Sequence, residues 1–206
     1  MRVSALVLAA GASRRAGAVN KLLARDRTGC CMIARTVMSV LQSRVAAVIV
    51  VLGHDATAVA TALDGAGLHP DGERLHRVRA DDHDEGLSAS LRCGIAVAAG
   101  QGADAALVCL ADMPLVRAAT LDRLLAELDR DTQAVAAVPT AGGRRGNPVL
   151  WRSSLFGALL GLSGDRGGRL LLERRASSVR EVPVDDAGVL EDFDTPDRLA
   201  EYALHS

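Results

Sequence analysis

The sequence predicts one α/β domain over residues 1–206, a three-layer α/β/α sandwich around a mostly parallel, Rossmann-like sheet. Three short, continuous apolar runs, at residues 3–8, 46–52 and 105–111, have the character of strands buried on both faces. The segments between them place apolar residues at helical spacing. Strand and helix therefore alternate, the pattern of parallel strands joined by right-handed crossovers.

Taken in order, residues 3–8 predict the first strand, and Ile33, Ala34, Val37, Val40 and Leu41 mark a helix. Residues 46–52 predict a second strand, 55–63 a short helix, 64–73 a loop rich in Gly and Asp, and 75–79 a short strand. Leu87, Leu91, Ile95 and Ala98 mark the next helix, 105–111 the next strand, and Leu121, Leu124, Leu125 and Leu128 a strongly amphipathic helix. The pattern then loosens: a strand at 134–138, a Gly/Arg loop at 141–146, a strand at 147–151, helical pieces at 155–160 and 168–174, and a strand at 179–184. Thr195-Pro196-Asp197 opens a last helix, with a capping hydroxyl, proline at the first helical position and an acid in the first turn. Neither a repeat nor a low-complexity linker divides the chain.

Composition narrows the function classes. The 206 residues are 49% hydrophobic and 24% charged, with a formal net charge of −1. No basic run suits a polyanion, and 2% aromatic residues leave little for stacking on single-stranded nucleic acid. No stretch approaches the roughly 18 apolar residues of a membrane span, and the first apolar run reads as a strand rather than a signal peptide. Cys30, Cys31, Cys93 and Cys109 form no C-x-x-C pair, so buried thiols in a reducing cytoplasm are expected. Among 24 basic residues Lys21 is the single lysine, and Asn20 and Asn147 are the only asparagines. A lone lysine in an arginine-rich chain suggests a site that needs a compact ammonium.

Three segments carry the chemistry. The first runs from Leu8-Ala9-Ala10-Gly11 through Ser13 and Arg15 to Lys21: a buried strand that empties into a small-residue loop. Such a loop lets backbone N–H groups approach an anion, and Arg15 and Lys21 supply charge for phosphates. It matches neither G-x-x-x-x-G-K-[ST] nor G-x-G-x-x-G. The second is Asp112, where the run at 105–111 ends before Met113-Pro114. Ligands of open α/β sheets bind beyond the carboxyl ends of strands, and a hard carboxylate beside a triphosphate suits magnesium. A turn-stabilising Asp is the equal alternative. The third is Asp192-Phe193-Asp194: if extended, its two acids project to one side and offer further metal ligands. Gly86 and Ser88 open a helix suited to nucleotide contacts or to capping alone. Arg144, Arg145 and Asn147 lie in a basic glycine loop that suits an anionic acceptor or solvent. His83, among Asp81, Asp82, Asp84 and Glu85, reads as part of a solvated loop.

With Gly146-Asn147-Pro148-Val149, Gly164-Asp165-Arg166-Gly167 and Asp194-Thr195-Pro196-Asp197 in the same order, these segments resemble the molybdenum cofactor cytidylyltransferases, a group of the molybdopterin nucleotidyltransferase family. The resemblance covers nearly the whole chain. It implies a nucleotide-diphospho-sugar transferase type of fold and transfer of CMP from CTP to a phosphorylated small molecule, the molybdenum cofactor. It also implies Mg2+ on Asp112 and Asp194, with Asp192 nearby, Arg15 and Lys21 on the triphosphate, and a molybdoenzyme as partner. Ala16, the pair Ala80-Asp81, and Asn147 in place of a histidine depart from the family pattern. Transfer from GTP, another acceptor, and a non-catalytic carrier of nucleotide or cofactor remain the alternatives.

Overall fold

The computed structural model describes residues 1–12, 20–71, 73–82, 86–164 and 167–205. Its centre is β1 (Val3–Ala9), buried along its whole length. β1 pairs in parallel with β2 (Ala47–Leu52) on one side and β4 (Ala105–Leu110) on the other, and β3 (Leu75–Arg79) lies parallel to β2 at the edge. Beyond β4 come β7 (Val149–Arg152), then β5 (Ala136–Ala141), then β8 (Val179–Pro183), with the two-residue β6 (Arg144–Arg145) pairing the far end of β5.

The period-2 alternation of β1 divides the core in two. Ala5, Val7 and Ala9 pack with α1 (Met32–Leu41), α2 (Ala56–Gly65) and α4 (Ala118–Arg130), through Met32, Ile33, Val37, Val59, Leu63, Leu121, Leu124 and Leu128. Leu6 and Leu8 pack with α3 (Leu87–Gly100), α5 (Phe156–Leu160) and α6 (Gly167–Arg174), through Leu91, Ile95, Phe156, Leu159 and Leu171. Each strand of the centre therefore needs apolar side chains on both faces. Continuous apolar runs, rather than alternating ones, are the result.

One direction differs from a purely parallel sheet. β7 runs antiparallel to both β4 and β5. The connection from Ala141 to Val149 is shorter than the roughly dozen residues that a parallel crossover needs, so the chain must return as a hairpin. The thiols also divide: Cys31 and Cys109 are buried, Cys30 and Cys93 partly exposed, and all four are free. Burial pushes the Cys109 thiol up to about 12.

The few aromatic residues are all placed in the core. Trp151 and Phe156 lie on the α3 side; Phe193 and Tyr202 lie on the α1 side, their ring centroids 5.2 Å apart. Tyr202 belongs to α7 (Pro196–Tyr202), whose cap Thr195 accepts from the Arg198 N–H at 3.4 Å. The Arg198 guanidinium carbon stands 4.9 Å from the Phe193 centroid, covering the ring from the solvent side. Phe193 thus fastens the C-terminal segment to the core. Phe193→Ala should lower the unfolding free energy by about 3–5 kcal/mol, measured by urea titration; a loss under about 1 kcal/mol would contradict this anchoring role.

Candidate active site

β1, β2 and β4 finish at one edge of the sheet, with Ala9 level with Leu52 and Leu8 level with Leu110. Because β7 is antiparallel, its amino end reaches the same region, Val149 opposite Val108. Four connections therefore gather there: Ala10-Gly11, Gly53-His54-Asp55, Ala111-Asp112-Met113-Pro114 and Gly146-Asn147-Pro148.

Lys21 starts a one-turn 3-10 helix, Lys21–Leu23. Two neighbours fix it. Leu22 is buried, and the Asn20 side chain accepts from the Leu22 N–H at 3.1 Å while its own amide donates to Asp55 at 3.4 Å. From this turn the Lys21 ammonium donates to Asp112 at 2.5 Å and to Asp194. The three side chains are only 15%, 15% and 18% exposed. Burial acts to lower the Lys21 pKa, but the two carboxylates outweigh it and hold the ammonium above its ordinary value. Burial also raises Asp112, which the Lys21 charge opposes and the Asp194 charge reinforces; the net direction is upward.

Backbone contacts hold the carboxylates in place. The Ala111 N–H donates to the Leu8 carbonyl at 3.2 Å, and the Ala111 carbonyl accepts from the Thr36 hydroxyl at 3.0 Å. The Phe193 N–H donates to the Asp112 carbonyl at 3.3 Å, laying the C-terminal segment directly on the β4 turn. The Asn147 N–H donates to the Val189 carbonyl at 2.9 Å. Gly146 is needed beside it, because a Cβ there would meet the Val189 carbonyl oxygen at 2.2 Å. Behind the turn lies a cavity of about 10 Å³ whose lining includes Thr36, Cys109, Leu110, Met113 and Asn147.

The other sequence-derived candidates fall in different places. Leu8, Ala9 and Ala10 are buried at the end of β1, with the Ala10 carbonyl accepting from the His54 N–H at 3.2 Å, and Gly11 is exposed beyond them. Ser13 and Arg15 lie outside the described residues, as does His83. Ser88 is buried in the first turn of α3 behind Gly86, which has φ 102°, and accepts from Arg92 at 3.4 Å. Asn147 lies at the sheet edge, but Arg144 and Arg145 stand exposed on the hairpin, where Arg145 donates to Glu181 at 2.8 Å. Asp192 does not join Asp194: its side chain is exposed, and its carbonyl accepts from Arg198 at 3.4 Å. Sequence reasoning missed Thr36, because nothing local marks a helix hydroxyl that bonds a distant turn. The rarity of Asn20 was the one signal for its role beside Lys21.

The two carboxylates are oxygen donors of the kind that suits a divalent cation completed by phosphate oxygens and water, and the ammonium beside them is a cation of the kind that suits phosphate. Among the described residues no group of three or more His, Cys, Asp and Glu side chains forms a closed metal cage. Removing the ammonium should expose the electrostatic load of this set. An acid whose folded pKa is raised destabilises the fold above that pKa and ceases to do so below its unfolded value, here 3.8. Lys21→Met should therefore lower the unfolding free energy by about 3 kcal/mol near pH 7, with the deficit shrinking toward pH 4. A deficit independent of pH would contradict the charge cluster.

Comparison with known proteins places the chain in a family. Residues 5–179 match the family model of the MobA-like NTP transferase domain. The chain is 33% identical to the purine catabolism protein PucB of Bacillus subtilis (strain 168), across 92% of this chain and 90% of that protein. The crystal structure of Rv0371c from Mycobacterium tuberculosis H37Rv superposes with a TM-score of 0.78 at 29% identity, covering 98% of this chain and 97% of that one. A further structure of Rv0371c is a complex with manganese. A nucleotidyl transferase from Methanothermobacter (Mth528) superposes with a TM-score of 0.81 at 27% identity, covering 98% and 96%. The fold is of the nucleotide-diphospho-sugar transferase type. The chain belongs to the MobA-like NTP transferase domain family and is a nucleotidyltransferase of that family.

Proposed function

We propose that this chain transfers the CMP group of CTP to a phosphorylated small molecule, with the molybdopterin-type molybdenum cofactor as the favoured acceptor and Mg2+ as the metal. The observation that carries the reading is the Lys21 ammonium held between the Asp112 and Asp194 carboxylates at the carboxyl edge of the sheet. An acceptor phosphate oxygen attacks the α-phosphorus of the nucleotide in line. The new P–O bond forms as the bond to the β-phosphate oxygen breaks, and pyrophosphate leaves.

This chemistry asks the protein for positioning and for charge. The Ala10-Gly11 segment lets the backbone approach the phosphates closely, and the first turn of α3 at Ser88 offers N–H groups and a hydroxyl to the nucleotide. Lys21, ordered by Asn20 and by the two carboxylates, supplies a preorganised positive charge where negative charge develops. Asp112 and Asp194 would hold Mg2+, which when bound polarises phosphate oxygens as a Lewis acid. Asn147, at the same edge, and Arg144, exposed on the neighbouring hairpin, are assigned to the acceptor. Arg145 is already paired with Glu181 and is the weaker candidate. The manganese in a structure of Rv0371c supports a divalent metal in a related protein. A target molybdoenzyme remains the expected recipient of the product.

Preference for CTP over GTP rests on Ala10. It replaces the glycine expected of guanylyl enzymes by the family resemblance, and its methyl group takes volume that a purine needs. Exclusion of this kind typically costs about 1–3 kcal/mol, or roughly five- to 150-fold in turnover. Pyrophosphate release with Mg2+ should therefore be at least about fivefold faster with CTP than with GTP, and Ala10→Gly should narrow that ratio. Asp112→Ala should lose about 10²–10³ in rate while its circular dichroism spectrum is unchanged. Equal use of both nucleotides would refute the CTP assignment, and full activity of Asp112→Ala would refute the reading of the site.

A further inference from the structure

Asp186 lies outside the cluster just described, yet it is buried and its two oxygens serve two different elements. Oδ2 accepts from the Arg117 N–H at 3.0 Å and from the Thr120 hydroxyl at 2.5 Å, so it faces the first turn of α4. Oδ1 accepts from the Gly188 N–H at 3.1 Å and has the Arg117 guanidinium 3.5 Å away. One carboxylate thus joins the start of α4 to the 3-10 turn Ala187–Leu190. Its charge also complements the positive end of the 13-residue helix.

The two joined segments carry the two site carboxylates. Residues 112–117 begin with Asp112 and end at the N–H bonded by Asp186; residues 186–194 begin with Asp186 and end with Asp194. Two more contacts lie between them. The Phe193 N–H bonds the Asp112 carbonyl, and Gly188 lies so close to Leu115 that a Cβ would stand 2.5 Å from its carbonyl oxygen. Gly188 is thereby the residue that lets the C-terminal segment lie flat on the turn after β4.

We infer that Asp186 is a positioning residue that sets the separation of the Asp112 and Asp194 carboxylates, and through it the affinity of the site for a divalent cation. This rests on the reading that those two carboxylates hold the cation. An isosteric amide cannot replace Asp186. Asparagine has one acceptor oxygen, so it can satisfy α4 or the Gly188 turn, and its NH2 would face a donor on the other side. The clamp is then lost although the volume is kept.

The test is Mn2+ binding to the purified full chain, read from the electron paramagnetic resonance signal of free Mn2+. Loss of a group that orients metal ligands typically costs about 10–100-fold in affinity, so Asp186→Asn should weaken Mn2+ binding at least about tenfold. Gly188→Ala, which pushes the same segment off Leu115 while keeping Asp186, should also weaken it and serves if the first variant does not fold. Thr120→Val removes one bond from Oδ2 but leaves the Arg117 and Gly188 N–H contacts. It should lower Tm with less than about a twofold change in Mn2+ affinity. Asp194→Ala separates the two levels: unchanged Mn2+ binding there means that the cation reading itself fails, and the inference with it. If Asp194→Ala weakens binding but Asp186→Asn and Gly188→Ala do not, Asp186 is only a structural clamp. Its role is also purely structural if Thr120→Val loses affinity in the same proportion to Tm as Asp186→Asn.

Discussion

A lysine ammonium shared by two carboxylates ties together three parts of this chain. Lys21 stands 91 residues from Asp112 and 173 residues from Asp194, and neither carboxylate is more than 18% exposed. Buried charge is tolerated only when it is paired and hydrogen-bonded. The loop after β1, the turn after β4 and the segment before α7 must therefore arrive together. The structure secures each arrival: Asn20 caps the Lys21 turn, Thr36 holds the Ala111 carbonyl, and the Phe193 N–H bonds the Asp112 carbonyl. Such pairing contributes little to stability in itself, since burial opposes it. Its value is positional, because it holds a positive charge and two oxygen donors ready at the edge where a nucleotide would bind.

The sheet explains why this edge collects the chemistry. Parallel β1, β2 and β4 deliver three carboxyl ends side by side, and the reversed β7 adds its amino end. The hairpin that reverses the chain brings Asn147 against Val189, immediately before the segment that ends in Asp194. The departure from a parallel sheet thus places the candidate acceptor residue Asn147 against the 3-10 turn that leads into the segment of Asp194. Arg145, farther along the hairpin, faces Glu181 instead and is electrostatically satisfied there.

Much of this was legible in the residues. Continuous apolar runs marked the central strands because both faces of the sheet are covered, and the solitary Lys21 marked the candidate site. Asp112 stood out because it follows an apolar run. The direction of β7 had to be read from the length of one connection, which strand patterning does not encode. The choice of Asp194 over Asp192 depends on Phe193 turning into the core and on Arg198 holding the Asp192 carbonyl, both tertiary facts. Thr36 and Asp186 were silent for the same reason: their partners lie 75 and 66–69 residues away. The candidate residues Lys21 and Asp112 were marked by type and position, whereas the residues that hold them in place were not.

The proposed function joins the family assignment to the charge cluster: a nucleotidyltransferase needs charge stabilisation at a phosphate, and on the proposed reading Lys21 supplies it, together with a cation that Asp112 and Asp194 would hold. Anomalous difference density from crystals grown with Mn2+ and CTP tests that account most directly. One manganese peak within about 2.5 Å of carboxylate oxygens of both Asp112 and Asp194, with Lys21 against the nucleotide phosphates, is the predicted result. A manganese bound elsewhere, with neither Asp112 nor Asp194 among its ligands, would contradict it.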